Sequence, residues 1–541
     1  MTAEPVATAV PELSSTDDRS APKRAVRQDS ARIRLEKLLF VGLVAFVCLV
    51  AFLTVTPWPV GAFQDDAIYT VLAKALATGE GYRMINLPGE PHATHYPPGY
   101  PFFLSLLWRL SPSFPDNIVL FKFANAVWLS LAALGAAMFA RRRLAWETMP
   151  SALAAAAGTL AIVVLLVTGV VLSEPMFMAL LFPALLLSER AADTGSVRLA
   201  VAAGLACGLL ALVRTLGVVI VPAALLALLF RKHWKAAFAF SAAAVVCLVP
   251  WQLWLSAWQH EVPPVLMGKY GAYGPWVAEG FREGGVGFAR DVAMQNVRAV
   301  FRFVSYVFMP MAPVWPRALA FVAVCAVAAI GLGTLVRRAL VTTMFLAAYA
   351  AIILIWPFEP DRFILALWPL LTLYGLVGVR SVWRWRPSTP VAGLRHLLLI
   401  STAVVVAGFV AYNVRGYRHQ WWISVQRDAG QRAKPIVEWV AGSTNPSDVL
   451  MTDDDLMVYL YAGRRAMPNL AFLPNDYIQS PTDEENIAGV RAMIDAYRPR
   501  YYITTSARGK VAAEALTRGQ APLLRRYGVI PNAFIYERIS Q

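Results

Sequence analysis

Long apolar runs alternate with short polar segments along most of this chain. From Leu38 to Tyr412 these runs recur at about 20 residues, the length that a helix needs to cross roughly 30 Å of hydrocarbon. The pattern predicts a polytopic α-helical membrane protein with about eleven transmembrane helices. The predicted spans are residues 38–57, 117–140, 151–172, 176–189, 199–213, 216–230, 236–257, 317–336, 339–356, 363–379 and 394–412.

Basic residues between the runs predict the orientation. Lys and Arg accumulate in short cytoplasmic loops of membrane proteins, and the basic clusters of this chain all fall on one side of the predicted spans. The N-terminus is therefore predicted to be cytoplasmic, and an odd number of spans places the C-terminal segment outside. The clusters are Arg32, Arg34 and Lys37; Arg141, Arg142 and Arg143; Arg198; Arg231, Lys232 and Lys235; Arg337 and Arg338; and Arg380, Arg384 and Arg386.

The loops on the opposite side carry most of the acids, histidines and isolated arginines that lie near the membrane, which predicts a shared extracytoplasmic site. The first of these loops is predicted to hold two interfacial helices, one over residues 67–77 and one over residues 98–110. Gly79 would end the first helix and Pro98 would open the second. The loops are residues 64–110, 173–174, 214–215, 260–316 and 357–362.

Both ends of the chain differ from the apolar middle. Residues 1–36 are polar, mix both charge signs and contain Pro and Ser, which predicts a disordered cytoplasmic tail before a membrane domain over residues 37–412. Residues 413–541 have the composition of a soluble domain. AKPIVEWVAG is typical of a helix, and DVLMT, RPRYYITTS and AFIYERI are typical of strands, so we expect a small extracytoplasmic α/β domain.

Overall composition supports the membrane class and excludes others. The chain has 541 residues, of which 58% are hydrophobic and 15% charged, an unusual balance for a soluble domain. The formal charge of +15 comes from clusters scattered between apolar runs rather than from one basic domain, so nucleic-acid binding is not predicted. The four cysteines all lie within apolar runs, which argues against a disulfide framework and a cysteine metal site.

Asp65 and Asp66 stand directly before the first predicted interfacial helix. One interpretation is structural, because Asp is a favoured helix N-cap, although one cap explains only one of the two acids. The other interpretation is a catalytic base or a cation ligand at the membrane surface, where desolvation raises the proton affinity of a carboxylate.

Three further charged residues face the same side. Glu174 follows Ser173 and precedes Pro175, which is a good helix start as well as a place for an acid beside Asp65. Arg214 and Arg362 are isolated in apolar surroundings, where each is either a snorkelling side chain or a ligand for phosphate, whose oxygens the guanidinium fork binds in pairs.

His92, His95 and Tyr96 precede a Pro-rich turn in the first external loop. The histidine pair alone is weak support for zinc, because no third ligand lies nearby in the sequence. No metal ligand is predicted, and a divalent cation at the acidic residues is left open.

Five segments in this order resemble the C-type superfamily of integral-membrane glycosyltransferases. They are FQDDAIYTVLAKALATGEGY, THYPPGYPFFLSLLWRL, VVLSEPMF, ALVRTLG and DRFILALWPLL. Within that superfamily the chain is most similar to the bacterial protein O-mannosyltransferase-like and aminoarabinose-transferase-like branches. The resemblance covers roughly residues 38–380 and adds little about the C-terminal domain.

The resemblance implies a function and roles for residues. It implies an inverting transfer of a hexosyl or pentosyl group from a polyprenyl-phosphate donor to a lipid, glycan or protein acceptor outside the bacterial cytoplasmic membrane. Asp65, Asp66 and Tyr69 match the acidic pair and tyrosine of the first external loop, with Asp65 as the expected base. Glu174 matches the acid of the second external loop.

Two positions depart from the family pattern. The second acid of the pair is often Glu in the family and is Asp66 in this chain, and a Lys or Arg often precedes the double proline where this chain has His95 and Tyr96. The expected substrate-binding residues are Tyr69, His95, Tyr96, Arg214 and Arg362.

Two other classes of function fit parts of the sequence. A transporter also carries charges in its membrane domain, but it would place them near mid-bilayer and show repeated halves. A non-catalytic sensor or scaffold for envelope glycan assembly would act through residues 413–541 and would tolerate loss of Asp65.

Overall fold

The computed structural model describes residues 21–386, 392–518 and 521–539. Its first seventeen α-helices form the membrane part and the loops that cover one end of it, which the sequence predicts to be the external end. They are α1 (Ala21–Phe52), α2 (Asp65–Thr78), α3 (Gly99–Leu110), α4 (Ile118–Arg143), α5 (Thr148–Thr159), α6 (Ile162–Thr168), α7 (Glu174–Thr194), α8 (Val197–Val213), α9 (Ile220–Phe230), α10 (Trp234–Trp258), α11 (Pro264–Tyr270), α12 (Tyr273–Phe308), α13 (Val314–Leu335), α14 (Leu340–Ile355), α15 (Asp361–Leu365), α16 (Trp368–Arg384) and α17 (Ala392–Arg418).

Every predicted span falls on one or two of these helices, but not every helix is long enough to cross alone. Within the described part of the chain, six helices meet the length and composition of a span: α1, α4, α7, α10, α13 and α17. The pair α5 and α6, which is bent by 62°, is a seventh if the two helices are counted as one broken span. The other four predicted spans fall on shorter apolar helices of at most 17 residues, about 25 Å long at 1.5 Å per residue, which is near the lower limit for crossing a membrane.

The predictions for the chain start and for the first external loop have different outcomes. Helix α1 begins at Ala21, so residues 21–36 are helical where a disordered tail was predicted, while residues 1–20 lie outside the described residues. Residues 21–36 contain three Ala and four Arg, which are good helix formers. Both interfacial helices of the first loop are confirmed as α2 and α3, and Gly79 ends α2 in the left-handed conformation that favours glycine.

The C-terminal part contains the predicted α/β domain. Its helices are α18 (Trp421–Ser443), α19 (Asp455–Ala462), α20 (Asp483–Tyr497) and α21 (Ala507–Leu516), and its strands are β1 (Leu450–Thr452), β2 (Ala466–Met467), β3 (Tyr501–Thr504), β4 (Leu524–Ile530) and β5 (Ala533–Arg538). The sheet order is β2-β1-β3-β5-β4, with β1 parallel to β2 and β3, and β5 antiparallel to β3 and β4. The predicted helix and three strands correspond to α18, β1, β3 and β5, whereas β2 and β4 were not predicted.

This domain is docked on the external loops by buried polar contacts. Asp455 accepts a hydrogen bond from Lys269 at 2.8 Å and another from the hydroxyl of Tyr270. Asn86 in the first loop donates to the same Tyr270 hydroxyl, and its carbonyl accepts the N–H of Ala466 at 2.9 Å. Two external loops and the C-terminal domain therefore share one hydrogen-bond network.

The last span also supplies hydrogen-bond partners for backbone groups at the break between α5 and α6. Helix α17 continues past the predicted boundary at residue 412 and ends at Arg418. At the break between α5 and α6, Asn413 accepts the N–H of Ile162 at 2.7 Å, and Tyr417 donates to the carbonyl of Leu160 at 2.7 Å. Backbone groups freed by a bend in a membrane helix need such partners because lipid supplies none.

Candidate active site

The predicted site residues meet at a cavity between the external ends of the membrane helices and the C-terminal domain. The cavity has a volume of about 440 Å³, which falls within the usual range for small-molecule sites. Six of the eight predicted residues line it: Asp65, Tyr69, His95, Tyr96, Arg214 and Arg362.

Two arginines and two carboxylates form the charged centre. Arg362 donates from Nη1 to Asp65 at 2.8 Å and from Nη2 to Oε1 of Glu174 at 2.9 Å. Arg214 places its Nη1 2.9 Å from the same Glu174 oxygen. Glu174 is fully buried behind the two guanidiniums, so it holds them side by side rather than facing the cavity.

Local structure explains how these side chains are aimed. Asp65 opens α2 and Glu174 opens α7, so both carboxylates stand at helix N-termini, where the helix dipole favours negative charge. Arg214 has extended backbone between α8 and a 3₁₀-helix over Thr215–Val219, and Arg362 lies in the short helix α15. The apolar run that Arg214 interrupts is therefore broken into two helices, which brings its guanidinium to the external end.

Asp65 is held ionised by its neighbours. Burial raises the pKa of its carboxyl, but the Arg362 guanidinium and a hydrogen bond donated by Tyr96 outweigh burial, so the pKa lies below its usual value. Asp65 is 22% exposed and borders the cavity, so its carboxylate is accessible to a molecule bound there.

Asp66 has a different environment. Its carboxylate accepts the backbone N–H groups of Gly61, Ala62 and Phe63 at 2.8, 3.2 and 3.1 Å. It is fully buried and does not line the cavity. Burial raises the pKa of Asp66, and the amide hydrogen bonds offset only part of that effect. Asp66 thus fixes the loop before α2 and acts on Asp65 by positioning it.

The capping interpretations of the acids and of Ser173 do not describe what these side chains do. Gln64 occupies the N-cap of α2 and makes no side-chain cap. Ser173 occupies the N-cap of α7, also without a cap hydrogen bond. Its hydroxyl instead accepts from Nη1 of Arg214 and lies 3.1 Å from the hydroxyl of Tyr69.

The two histidines of the first loop separate. His95 lines the cavity, and its Nδ1 lies 2.6 Å from the carbonyl oxygen of Gly271. A carbonyl only accepts, so Nδ1 carries the proton, and burial lowers the pKa of His95 to about 4. His92 instead pairs with Glu261 at 2.8 Å and stacks on Trp258. No group of three His, Cys, Asp or Glu side chains suited to a metal ion occurs among the described residues.

Sequence reasoning missed part of the cavity wall. The missed lining residues are Phe358, Glu359 and Asp361, from the loop before α15 and the start of that helix, together with Phe472 and Tyr477 from the C-terminal domain. The loop had a signal, since it lies on the acidic side next to Arg362. Phe472 and Tyr477 had none, because no motif marks them and their contact with the membrane part depends on how the domain docks.

Comparisons with known proteins identify the fold. No protein-family model matches this chain, and no curated protein sequence matches it significantly. Among solved structures, ArnT from Cupriavidus metallidurans bound to undecaprenyl phosphate is similar at 13% identity, a TM-score of 0.51 and coverage of 92% of this chain and 98% of ArnT. The apo state of that ArnT is similar at 14% identity and a TM-score of 0.50, with coverage of 92% and 97%. This chain therefore has the polytopic membrane fold of ArnT, as its resemblance to the C-type glycosyltransferase superfamily predicts.

Proposed function

We propose that this chain is an inverting glycosyltransferase that moves a sugar from a polyprenyl-phosphate donor to an acceptor outside the cytoplasmic membrane of a bacterium. Its N-terminus would be cytoplasmic and its C-terminal domain extracytoplasmic. The proposal rests on one observation above all: Arg214, Arg362 and Asp65 border one cavity at the ends of apolar helices.

The chemistry of these groups suits a lipid-linked phosphate. Guanidinium groups bind phosphate oxygens in pairs, and Glu174 already holds the two guanidiniums together. A donor whose tail lies in the bilayer would bring its phosphate to this depth. The similar ArnT structure was solved with undecaprenyl phosphate bound, which supports the same class of donor for this chain.

The proposed reaction is a single displacement. The acceptor oxygen or nitrogen attacks the anomeric carbon from the face opposite the phosphate and loses its proton to Asp65. The bond between the anomeric carbon and the phosphate oxygen breaks, and polyprenyl phosphate leaves with the electron pair while Arg214 and Arg362 stabilise its charge. One displacement inverts the anomeric configuration.

The hydrogen-bonded ion pair between Arg362 and Asp65 links donor binding to the strength of Asp65 as a base. While Arg362 donates to Asp65, it stabilises the ionised carboxylate and weakens it as a base. A donor phosphate that takes hydrogen bonds from Arg362 would withdraw part of this stabilisation. The proton affinity of Asp65 would then rise when the donor is in place.

The arrangement favours an enzyme over the two alternative classes. A transporter would carry charges along a path through mid-bilayer, whereas the centre of this site is built at the starts of α2 and α7 and beside the start of α16. A scaffold acting through its C-terminal domain would not need Asp65 beside a cavity.

The direct test is transfer by purified protein. Incubation with a panel of labelled polyprenyl-phosphate hexoses and pentoses, together with a bacterial envelope extract as the source of acceptor, should transfer the label from one donor class to the acceptor and release polyprenyl phosphate. NMR of the product should show the inverted anomer. Absence of turnover and of binding for every donor refutes the proposal, and retention of configuration refutes the single displacement.

A further inference from the structure

Five aromatic side chains form part of the cavity lining. Tyr273, Trp356 and Phe358 belong to the external loops, while Phe472 and Tyr477 belong to the C-terminal domain, and all five line the cavity. Tyr273 lies 5.3 Å from Trp356 and 5.6 Å from Phe358, measured between ring centroids. We refer to these five residues as the aromatic wall.

Trp276 holds the two halves of the aromatic wall together. Its ring is stacked against Phe358 at 5.0 Å and against Phe472 at 5.4 Å, with 28° between planes in both cases. Its indole N–H donates to the carbonyl of Phe472 at 3.2 Å. The backbone there is so close to α11 that a Cβ on Gly268 would overlap the same carbonyl oxygen.

Asn296 is a second link between the membrane part and the domain. This fully buried side chain donates to the carbonyls of Ile353 and Trp356 at 2.9 and 2.7 Å, and it accepts from the hydroxyl of Tyr477. Gln295 donates to the carbonyl of Tyr477 at 2.9 Å. The aromatic wall is therefore held in place by protein contacts alone, which lowers the cost of binding a ligand.

Two carboxylates stand on the same wall. Glu359 is exposed, lines the cavity and has no hydrogen bond or ion pair with any described residue. Asp361 uses one oxygen to accept the N–H of Arg362 at 2.8 Å. Ionised carboxylates only accept hydrogen bonds, so this part of the cavity suits a ligand that offers several donors.

We propose that the aromatic wall, with Glu359, is the acceptor subsite and that it binds the ring of a saccharide. A sugar ring has apolar C–H faces that pack on aromatic rings and hydroxyl groups at its edge that donate to carboxylates. The inference rests on the proposed function for the location of the donor phosphate at Arg214 and Arg362, which leaves the aromatic wall for the acceptor. The C-terminal domain thereby completes the acceptor site.

Other occupants fit this wall less well. An acyl or polyprenyl chain would place hydrocarbon beside the carboxylates of Glu359 and Asp361, which costs their hydration. A peptide carrying Ser or Thr offers hydroxyl groups, but its backbone also brings carbonyl acceptors toward the same carboxylates. Measuring the binding of a saccharide and of a peptide to the protein therefore distinguishes these acceptor classes.

The first experiment measures binding without donor. Cellotriose, maltotriose, mannotriose and a short Ser/Thr peptide would be tested against the purified full-length protein by saturation-transfer difference NMR and titration. We expect at least one trisaccharide to bind through its ring protons. Phe472→Leu, which keeps an apolar side chain but removes the ring, should weaken that Kd about three- to tenfold.

Matched variants separate the aromatic wall from general damage. Leu473 is the exposed neighbour of Phe472 and does not line the cavity, so Leu473→Ala should leave saccharide binding unchanged. Glu359→Gln tests the carboxylate without touching a folded contact and should also weaken binding, with Glu484→Gln on exposed α20 as its control. Thermal melting checks that each variant is folded.

The outcomes distinguish this inference from the proposed function. The acceptor subsite is refuted if the parent protein binds no saccharide or binds only the peptide. It is also refuted if the Phe472→Leu and Leu473→Ala variants bind saccharide with equal affinity. These results count against the subsite even if donor turnover is observed. If saccharide binding depends on Phe472 but no polyprenyl-phosphate sugar is bound or consumed, the proposed function fails and the saccharide subsite stands.

Discussion

Replacing each acid of the Asp65–Asp66 pair with Asn should separate a structural loss from a chemical one. Asp66 bonds three backbone N–H groups in a buried loop, whereas Asp65 borders the cavity and pairs with Arg362. We expect Asp66→Asn to lower stability and Asp65→Asn to abolish transfer. Both substitutions replace Asp with Asn, which has nearly the same volume. A difference between the two variants in stability or transfer rate therefore reflects the different environments of Asp65 and Asp66.

The expected size of the stability loss follows from the contacts of Asp66. Asn has one acceptor oxygen, so its amide group must face at least one of the three N–H donors. An unsatisfied buried N–H costs about 1–3 kcal/mol, and losing the charge at the other bonds costs roughly 1 kcal/mol more. Asp66→Asn should therefore cost about 2–4 kcal/mol. Asp65→Asn should cost about 1 kcal/mol, because the residue reaches the cavity and Arg362 keeps Glu174.

The assay combines melting of detergent-solubilised protein with transfer per folded molecule. Asp66→Asn should melt lower than the parent and keep a rate within about tenfold of it, while Asp65→Asn should melt close to the parent and lose about 10² to 10⁴-fold in rate. Asp428→Asn, an exposed position on α18, controls for handling. A parent-like melt for Asp66→Asn combined with a fully active Asp65→Asn would refute both assignments.

Three further outcomes are expected. Arg362→Lys should raise the donor KM more than Arg214→Lys, because one ammonium cannot bridge the two carboxylates that Arg362 contacts; equal effects would remove that distinction. Arg362 lowers the pKa of Asp65 in the protein without donor, so the acid limb of the kcat/KM profile, which reports the free enzyme, should lie below the usual range of an aspartate and move upward in Arg362→Lys; an unmoved limb would exclude Asp65 as its origin. In a cysteine-free background, cysteine at Thr482 should react with an impermeant reagent from outside and cysteine at Ala145 should not; the reverse pattern would invert the topology.

The charged centre could be predicted from the sequence because its residues share one property. Asp65, Glu174, Arg214 and Arg362 are each an ionisable residue at the external end of an apolar run, and a membrane protein places such groups at polar surfaces or in functional sites. Hydropathy and the distribution of Lys and Arg are therefore sufficient to predict that the four lie on one side. Their pairing, with Glu174 behind both arginines, depends on how the helices pack in three dimensions, which neither pattern encodes.

The sequence could not separate Asp65 from Asp66 or find the aromatic wall. Adjacent residues at a helix start point in different directions, and which of the two faces the cavity depends on the backbone of the preceding loop, where Gln64 has a positive φ of 62°. Phe472 reaches the site because the C-terminal domain docks on the membrane part through contacts that include those of Asp455 and Asn86. That contact joins segments far apart in the chain, and local patterns carry no information about it.

The two hydrogen bonds between the α5–α6 break and the last span constrain the order in which the membrane part can assemble during synthesis. Leu160 and Ile162 leave the ribosome early, but their partners Tyr417 and Asn413 follow 257 and 251 residues later. The bent segment thus enters the membrane without the groups that satisfy its backbone, and these hydrogen bonds form only after the last span has been synthesised. A premature stop before Asn413 would therefore damage the middle of the membrane part as well as remove the external domain.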